Sequence, residues 1–407
     1  MSRKLLSLLA LSTLALTACG QGASESQDVA ASASSSTAAG ETANQAETSG
    51  QAGQLTASAA GGACGEGGDC VSLLFAGDFL MHNMLWAQAE ADAISLGKTG
   101  LDFGPLIEEQ KPYLDRADLG VCQMETAVAD PAGPYQGYPN FNVPPQILDA
   151  AAATGWDVCM TASNHSIDHK TAGLERTYRA VQAAGMGVTG TNLTEEEATQ
   201  PDLFTTANGA TVAIITGTYG LNGNVPEYPW QVDMLDAEAM IAKAKAAREQ
   251  GADLVVANMH AGDEYVHEPN AQQVETAHAL VDSGEFDLIV GQHAHAVQPI
   301  EKYKDTWIVY GMGNNLTELS PTYVANNESI MVNPIFKKGE DGSWAVHDLR
   351  WVSSTMVDSP GYKFCITSPS RPASDCLDEA YAAESNARVK EIVESMGAAE
   401  AGAREWS

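Results

Sequence analysis

The segment FDLIVGQHAH, residues 286–295, decides the fold. Its apolar run is typical of a parallel strand that is covered on both faces, and the run ends in two imidazoles, His293 and His295. Five other apolar runs of the chain also end in residues that can bind a metal ion. These runs are VSLLFAGD (71–78), LGVCQME (119–125), WDVCMTASNH (156–165), DLVVANMH (253–260) and WIVYGMGNN (307–315). The repeated pattern predicts a buried, largely parallel sheet with polar residues at its strand ends.

The ends of these strands predict one shared site. In open α/β sheets the ligand site lies outside the carboxyl ends of the strands, so residues that are distant in sequence can meet there. Carboxylate, amide and imidazole groups together suit a pair of divalent cations, and Zn, Fe, Mn or Mg are all candidates. The predicted metal ligands are Asp78, Glu125, Asn164, His260, His293 and His295.

Other polar residues near the strand ends are candidates for chemistry and for substrate contacts. His165 follows a predicted ligand and is placed to protonate a leaving group or to stabilise a developing anion. Asp168 is predicted to orient His165 or the following helix rather than to bind metal, and the two residues form the predicted catalytic pair. Glu264, Tyr265 and Asn314 are predicted to bind substrate, although the first two could instead serve local packing.

Each ligand assignment also has a purely structural alternative. Asp78 could cap the helix that follows it, because Asp is a common residue at that position. Asn164 and His165 could form a turn, since Asn supports left-handed backbone geometry. His293 and His295 could be exposed loop residues, although their alternate spacing directs both side chains to one side. The histidines predicted to be structural or solvated are His82, His267, His278 and His347.

Helical patterns separate the apolar runs. PPQILDAAAATG (144–155) begins with Pro and closes with Gly, as helices often do. TAGLERTYRAVQAAG (171–185) carries apolar residues at helical spacing and also stops at Gly. Asp236 is predicted to cap a third helix, and Asn270 with Gln273 to form a capping box at the start of a fourth. Alternating strands and helices predict an α/β fold.

The charge balance excludes two classes of partner. The chain has 53 acidic and 21 basic residues, which gives a formal net charge of −32. A nucleic-acid surface needs clustered Lys and Arg, so no nucleic acid is expected to bind. Adhesion to anionic lipids through a basic patch is not expected for the same reason.

The N-terminal residues have the pattern of an export signal. Arg3 and Lys4 precede an apolar stretch, residues 5–16, that is short for a membrane span. LTAC at residues 16–19 resembles a bacterial lipoprotein signal, in which Cys19 becomes the lipidated first residue. The alternative is an ordinary secretory signal with a chance Cys. Both predict export, and lipidation predicts a membrane lipoprotein that faces the cell wall or the outside.

Composition divides the rest of the chain into three parts. Residues 20–70 are mostly small and polar, cannot form a core and are predicted to be a disordered tether. Residues 71–352 form the predicted globular domain, whose last element is an antiparallel hairpin of residues 329–338 and 344–354. Residues 353–407 are a C-terminal extension that ends in an Ala/Glu-rich helix.

Six cysteines remain once Cys19 is assigned to lipid. In an exported protein an even number of cysteines favours disulfides. Cys122 and Cys159 lie inside apolar runs and are predicted to be buried free thiols. The predicted disulfides, each across a short loop, are Cys64–Cys70 and Cys365–Cys376.

Six motifs occur in an order that resembles a known family. They are AGDFLMH (76–82), FNVPP (141–145), ASNHSIDH (162–169), HAGDEY (260–265), GQHAHAVQPIE (291–301) and YGMGNN (310–315). Together they are similar to the bacterial poly-γ-glutamate capsule-synthesis (CapA-type) family over residues 71–352. The resemblance implies a fold related to calcineurin-like metallophosphoesterases, in which helices flank a β-sandwich of two sheets (αββα). It also implies metal binding by the six predicted ligands and an acid role for His165.

The chain departs from the family pattern at four places. QME at residues 123–125 stands where the family usually has Asn-Leu-Glu, so the carboxylate is retained. Ala261 replaces a Trp, and Gln292 replaces the first His of a Gly-His-His-Pro-His motif. His and Lys at residues 169–170 replace a Gly. These changes affect the expected pocket wall more than the ligands, so they concern substrate specificity.

Three functions are compatible with these features. The first is an exported, membrane-tethered, metal-dependent phosphoesterase-like enzyme that acts on a phosphoester or surface polymer in capsule synthesis. The second is a non-catalytic factor for assembly, export or anchoring of a poly-γ-glutamate-type capsule, although an acidic protein repels polyglutamate unless cations bridge them. The third is a solute-binding lipoprotein, which predicts a two-lobed shape. The convergent ligands favour the first.

Overall fold

The computed structural model describes residues 64, 69–318, 324–369, 371 and 376–406. All of them belong to one compact unit, Gln51–Ser407. The predicted export signal, the lipidation site Cys19 and most of the predicted tether lie outside the described residues. Within the described part of the chain, no helix has both the length and the apolar character needed to cross a membrane.

Strands and helices alternate along most of this part of the chain. The strands are β1 (Cys70–Phe79), β2 (Leu119–Met124), β3 (Val158–Met160), β4 (Gly187–Thr189), β5 (Leu203–Thr205), β6 (Thr211–Thr218), β7 (Leu254–His260), β8 (Leu288–Gln292), β9 (Ile300–Tyr303), β10 (Thr306–Val309), β11 (Asn314–Leu316), β12 (Glu328–Lys338), β13 (Trp344–Val357), β14 (Lys363–Ile366) and β15 (Arg404–Glu405). The helices are α1 (Asn83–Ser95), α2 (Gly104–Ile107), α3 (Lys111–Leu114), α4 (Gln146–Thr154), α5 (Lys170–Ala183), α6 (Glu195–Ala198), α7 (Ala237–Glu249), α8 (Ala271–Ser283) and α9 (Glu379–Glu394).

The strands form two mixed sheets. The first has the order β14-β13-β12-β1-β2-β3-β4, with β11 beside β1 and β15 beside β13. In it β1 to β4 run parallel, and β12 to β14 continue the sheet in antiparallel fashion. The second sheet has the order β5-β6-β7-β8-β10-β9, with β6, β7, β8 and β10 parallel. The predicted α/β class and the predicted antiparallel hairpin, β12 with β13, are confirmed.

The two sheets face each other across an apolar interior. Leu73 and Phe75 of β1 contribute to this interior together with Ile214 of the second sheet. Leu74 and Ala76 of the same strand belong to the cluster on the opposite face. This alternation follows the period of two in a strand. Because both faces of β1 are buried, its sequence is a continuous apolar run rather than an alternating one.

Helices cover the outer face of each sheet. On the first sheet, Leu85 of α1, Ile147 of α4 and Val181 of α5 join the apolar cluster of the outer face. On the second sheet, Ala244 of α7 and Leu280 of α8 do the same. The αββα layering implied by the family resemblance is therefore present.

The helix ends follow the predicted capping residues. Asp236 accepts a hydrogen bond from the Ala239 N–H, 3.0 Å, at the start of α7. Asn270 and Gln273 exchange reciprocal hydrogen bonds, each 3.0 Å, at the start of α8. Gly284 ends α8 with φ 74°, a left-handed conformation that Gly adopts without strain. Local sequence signals thus fix where these helices begin and end.

The run WIVYGMGNN is not one strand, as the sequence predicts, but parts of two. Strand β10 ends at Val309 in the second sheet, and β11 begins at Asn314 in the first. Asn314 pairs in parallel register with Asp78 of β1. A Cβ at Gly77 would lie 2.0 Å from the carbonyl oxygen of Gly313, so only Gly fits there. The crossing chain therefore lies directly against the strand that carries Asp78.

The residues after 352 complete the first sheet. Strand β13 continues to Val357, and both β14 and β15 pair with it. Helix α9 packs Val389 and Val393 into the interior between the sheets. Trp406 is buried, and its ring centroid lies 5.2 Å from that of Tyr113. The described C-terminal residues are part of the globular fold.

Three disulfides connect described cysteines: Cys64–Cys70, Cys122–Cys159 and Cys365–Cys376. The first and third are the predicted loop pairs. The prediction of free thiols at Cys122 and Cys159 is wrong, because these residues stand opposite each other on β2 and β3 with their Cα atoms 4.6 Å apart. That separation suits a disulfide. The sequence does not reveal the pairing because it does not say which strands are neighbours.

We expect the Cys122–Cys159 disulfide to stabilise the fold. Replacing both residues with Ala should lower the free energy of unfolding by about 2–4 kcal/mol, because the loop is no longer closed in the unfolded chain. Denaturant titration measures this loss, and non-reducing peptide mapping detects the bond. Replacing Cys64 and Cys70, which are separated by 6 residues rather than 37, should have a smaller effect. Free thiols at Cys122 and Cys159 in the exported protein would contradict the assignment.

Candidate metal centre

The six predicted metal ligands meet where the carboxyl ends of the two sheets come together. The first sheet and its loops contribute Asp78, Glu125 and Asn164, and the second contributes His260, His293 and His295. Each of the six residues is at most 4% exposed. Outside this cluster, His82, His267 and His278 bond to nearby oxygens, whereas His347 is exposed. The strand ends thus form one buried cluster of carboxylate, amide and imidazole groups.

Glu125 lies in the middle of the cluster. Its Oε1 is 3.9 Å from His260 Nε2 and 3.6 Å from His295 Nε2. On one side, His260 Nε2 is also 2.9 Å from Asn164 Oδ1. On the other side, Glu125, His293 and His295 each offer a ligand atom, all within 4.8 Å of one another. Two groups of ligand atoms therefore share Glu125, as a bridging carboxylate requires.

Asp78 approaches the other ring nitrogens of the same imidazoles. Its Oδ1 is 3.8 Å from His260 Nδ1, and its Oδ2 is 3.6 Å from His295 Nδ1. Both distances are too long for hydrogen bonds. Oδ2 accepts a hydrogen bond from the His293 backbone N–H, 3.0 Å, which leaves Oδ1 without a partner among the described residues. One buried oxygen of Asp78 is therefore available to a cation.

Asn314 is buried inside the site, whereas the sequence predicts that it contacts substrate. It is fully buried, its Oδ1 is 2.8 Å from His295 Nδ1, and its Nδ2 donates to the Asn326 carbonyl oxygen at 2.9 Å. With the Nδ1 hydrogen of His295 donated to Asn314, the lone pair of Nε2 is directed toward Glu125. Asn314 thus orients a candidate ligand, and its contact with substrate stays a prediction.

The turn after β8 has an unusual backbone. His293 has φ 86° and His295 has φ 50°, both in the left-handed region that non-glycine residues rarely adopt. Such strain is concentrated at functional sites in proteins. Because both side chains are buried in the cluster, the alternative that these histidines are exposed loop residues does not apply.

The cluster contains more buried polar atoms than it can satisfy by itself. Among the described residues, no hydrogen-bond partner reaches Asp78 Oδ1, either carboxylate oxygen of Glu125, His260 Nδ1 or His293 Nδ1. Each such atom costs about 1–3 kcal/mol when it is left unsatisfied. A divalent cation supplies the missing interactions for oxygen and nitrogen donors alike. The residues therefore fit a metal centre.

Burial shifts the ionisation of the cluster away from its charged forms. It raises the pKa of Glu125 well above its usual range, and the neighbouring charge of Asp78 adds to this effect. Burial also lowers the pKa of His293 to about 4 and that of His295 to about 3, and it lowers the pKa of His260 strongly. The imidazoles are thus neutral, which is the form that binds metals. A cation at this place would favour the charged form of the carboxylates.

His165 and Asp168 form a hydrogen-bonded pair beside the cluster. His165 Nδ1 is 2.7 Å from Asp168 Oδ2, which also accepts a hydrogen bond from the Phe141 N–H at 2.7 Å. The ring of Phe141 packs edge-on against His165, with the centroids 4.8 Å apart. These contacts hold the imidazole in one orientation and leave its Nε2 directed away from Asp168.

Asn222 joins this pair to the ligand cluster, a role that its local sequence does not predict. Asn164 Nδ2 donates to Asn222 Oδ1 at 3.3 Å, and Asn222 Nδ2 lies 3.4 Å from His165 Nε2. If Asn164 presents its oxygen to a cation, its amino group must face Asn222, whose own amino group then faces His165. Asn222 is an exposed loop residue with φ 51°, so its sequence context indicates only a turn.

Loops form the mouth of the site. Glu264 and Tyr265, the predicted substrate contacts, are exposed on the loop after β7. The ring of Tyr265 stacks on His295, with the centroids 5.9 Å apart. Tyr219, which the sequence did not single out, follows β6, and its ring centroid is 4.5 Å from that of His293. Both tyrosines therefore border the candidate ligands.

Buried amides next to the ligands link the two sheets. Asn258 Nδ2 of β7 donates to Gln123 Oε1 of β2 at 3.1 Å. Gln292 Nε2 of β8 donates to the Ala76 carbonyl oxygen of β1 at 2.9 Å. Two of the positions that depart from the family pattern, Gln123 and Gln292, thus form inter-sheet hydrogen bonds, and Ala261 is fully buried behind the mouth.

The comparison with known families agrees with this arrangement. The family described as "Bacterial capsule synthesis protein PGA_cap" matches residues 72–318 of the chain. The chain belongs to this family. The matched part of this PGA_cap protein includes all six candidate ligands and the pair of His165 and Asp168.

Known proteins resemble this PGA_cap chain over part of their length. It is 29% identical over 195 residues to the PGA biosynthesis protein CapA of Bacillus subtilis, covering 46% of this chain and 49% of that protein. It is 31% identical over 174 residues to the capsule biosynthesis protein CapA of Bacillus anthracis, covering 42% of each. Among solved structures, the calcineurin-like phosphoesterase YfkN from Bacillus subtilis has a TM-score of 0.45 and 14% identity, covering 79% of this chain and 97% of that one. The chain thus spans about half the length of the curated relatives it matches.

We expect Asn222 to support metal binding through Asn164. The variant Asn222→Gly keeps the left-handed backbone but removes the acceptor of the Asn164 amide, and loss of such an outer hydrogen bond lowers metal affinity by about 10–100-fold. Calorimetric titration of the metal-free protein with Mn²⁺ or Zn²⁺ measures the affinity. Asn224→Gly, in the same loop, is the matched control and should bind as the wild type does. Equal affinity of the Asn222→Gly variant would contradict the assignment.

Proposed function

We propose that the protein is an exported, metal-dependent phosphoester hydrolase or transferase that acts on a surface polymer. The observation that carries this proposal is the buried cluster in which two groups of ligand atoms share Glu125. Five oxygen and nitrogen atoms of the cluster have no hydrogen-bond partner among the described residues. Membership of a capsule synthesis family supports the polymer as the context of the reaction.

The ligand set suits two divalent cations. Asn164 and His260 would hold one, His293 and His295 would hold the other, and Glu125 would lie between them. Three imidazoles among the ligands favour Zn, Fe or Mn over Mg, which prefers an all-oxygen shell. Such a pair of cations polarises a phosphoryl oxygen and activates a bound water at neutral pH.

The residues of the chain supply the proton donor for the leaving group and surround the place where the substrate would bind. His165, with Nδ1 held by Asp168, is oriented to deliver a proton from Nε2 to the leaving oxygen. The Asp168 carboxylate holds Nδ1, so Nε2 is the ring nitrogen that remains for the leaving group. Asn222 lies 3.4 Å from the same Nε2 and would give way to the leaving group. Tyr219 and Tyr265 border the candidate ligands on exposed loops, and we expect the substrate to approach the buried ligands past them.

The variant Glu125→Gln tests the proposal. It preserves the shape of the side chain but removes the negative charge that both cations share, so bound metal should fall from about two ions per chain to one or none. Turnover of bis(p-nitrophenyl) phosphate should fall by at least about 100-fold. Elemental analysis and phosphodiester assays with Mn, Zn and Mg measure the two effects. Glu340→Gln, in an exposed turn between β12 and β13, is the control and should retain both.

The same experiment separates the proposal from a non-catalytic role. If the wild-type protein holds no metal and turns over no phosphodiester, the proposal that it is an enzyme is refuted. If the protein binds metal without turnover, and the Glu125→Gln variant restores capsule formation as well as the wild type does, the chain is an assembly or anchoring factor. The net charge of −32 makes direct adhesion to polyglutamate unfavourable and weighs against that alternative.

We also propose that the protein is exported and anchored through lipid on Cys19. The basic, apolar and LTAC segments at the N-terminus support this, and so do the disulfides, because disulfides persist mainly in oxidising compartments. In an expressing bacterium, mass spectrometry of the N-terminal peptide should find Cys19 lipidated and the protein in the membrane fraction. Cys19→Ser should abolish both, and an unmodified Cys19 in the mature wild type would contradict the anchor.

A further inference from the structure

Exposed tyrosines are gathered around the metal centre. Within the described residues, every tyrosine with 40% or more of its surface exposed lies on a loop that follows a strand at this edge. These residues are Tyr138 after β2, Tyr219 and Tyr228 after β6, and Tyr265 after β7. Large aromatic side chains are otherwise buried or half-buried in this part of the chain, so the distribution indicates a binding surface.

Three of these rings are packed against the site itself, and we refer to Tyr138, Tyr219 and Tyr265 as the tyrosine rim. Tyr219 and Tyr265 lie on the imidazoles of candidate ligands, as described above. The ring centroid of Tyr138 is 6.3 Å from that of Phe141, which packs on His165. Tyr138 is 75% exposed. Each rim residue therefore has one neighbour in the site and a surface left open to a ligand.

The backbone of Tyr265 has a strained conformation that holds its side chain in place. Its φ is 66°, which is a strained value for a bulky aromatic residue, and its N–H donates to the carbonyl oxygen of Ala294 at 2.7 Å. Ala294 lies between His293 and His295. The hydrogen bond thus links the position of the Tyr265 ring to the turn that carries two candidate ligands. A tyrosine that was only exposed to solvent would not require a strained backbone.

The charges that act on the rim are negative. Glu264 is exposed next to Tyr265 on the same loop and adds a carboxylate to the rim. Apart from the phosphate that the metal centre would bind, such surroundings disfavour a ligand with further phosphates or carboxylates. They favour a neutral ligand whose hydroxyl groups donate to Glu264 and whose apolar face covers a tyrosine ring.

We propose that the tyrosine rim binds a neutral sugar ring attached to the phosphate of the substrate. The C–H face of the sugar would stack on Tyr265 and Tyr219, and its hydroxyl groups would donate to Glu264. The assignment of a phosphate group rests on the proposed function, whereas the assignment of a sugar ring rests on the tyrosine rim alone. The substrate class is then a glycosyl phosphoester, such as a phosphate-linked glycan, rather than a nucleotide or a polyanionic peptide.

Sugar binding can be measured without catalysis. Saturation-transfer NMR on the metal-free full chain, with cellotetraose and N-acetylated chitotetraose as neutral probes, should show transfer from the protein to the sugar rings. Tyr265→Ala and Tyr219→Ala should each weaken binding by at least about tenfold, the loss expected when a stacked ring is removed. Tyr265→Phe should retain binding, and Tyr303→Ala, in the strand at the far edge of the second sheet, should not change it.

Several results would overturn the sugar subsite. They are absence of transfer to both tetrasaccharides, unchanged affinity in both alanine variants, or preferential rim-dependent binding of adenosine monophosphate over glucose 1-phosphate by the metal-loaded protein. If metal binding and phosphodiester turnover persist in that case, the proposed function stands and only the sugar subsite fails. If sugar binding depends on the rim but neither bound metal nor turnover is found, the proposed sugar subsite is supported and the proposed enzymatic function is refuted.

Discussion

The carboxylate of Glu125 is buried between the sheets with no hydrogen-bond partner for either oxygen among the described residues. A charge in that position is tolerated only beside a compensating positive charge. The surrounding imidazoles cannot provide it, because burial keeps His260, His293 and His295 neutral. The unsatisfied oxygens of Glu125 therefore fit a cation, and the rest of the fold brings further donor atoms to the same point.

Two sheets, rather than one, make this concentration of donors possible. Each sheet contributes three of the six candidate ligands. No strand end therefore has to supply more than two of them, which is the number that the turn after β8 supplies. Close backbone approach is part of the arrangement: Gly77 lets the chain that crosses between the sheets lie directly against β1. That crossing also delivers Asn314 to His295. The ligands and the residues that orient them thus come from different parts of one topology.

The sequence identifies the six residues that meet in the cluster, because each follows a recognisable apolar run at a strand end; their binding of a metal stays a prediction. It predicts little about what surrounds them. Asn222 and Tyr219 lie in an ordinary loop, and their proximity to Asn164 and His293 depends on how the two sheets face each other. The Cys122–Cys159 disulfide was missed for a related reason, since apolar runs do not reveal which strands are adjacent. Residues that act through tertiary neighbours have no local signal.

The inter-sheet amides have a consequence for the sandwich as a whole. Apolar contacts set the distance between two sheets but discriminate poorly between small displacements along the strands, because methyl groups pack almost equally well after a slight shift. Hydrogen bonds are directional, and those from Asn258 to Gln123 and from Gln292 to Ala76 are satisfied at one alignment only. The same buried side chains that border the metal ligands therefore fix the registration of the two halves of the protein.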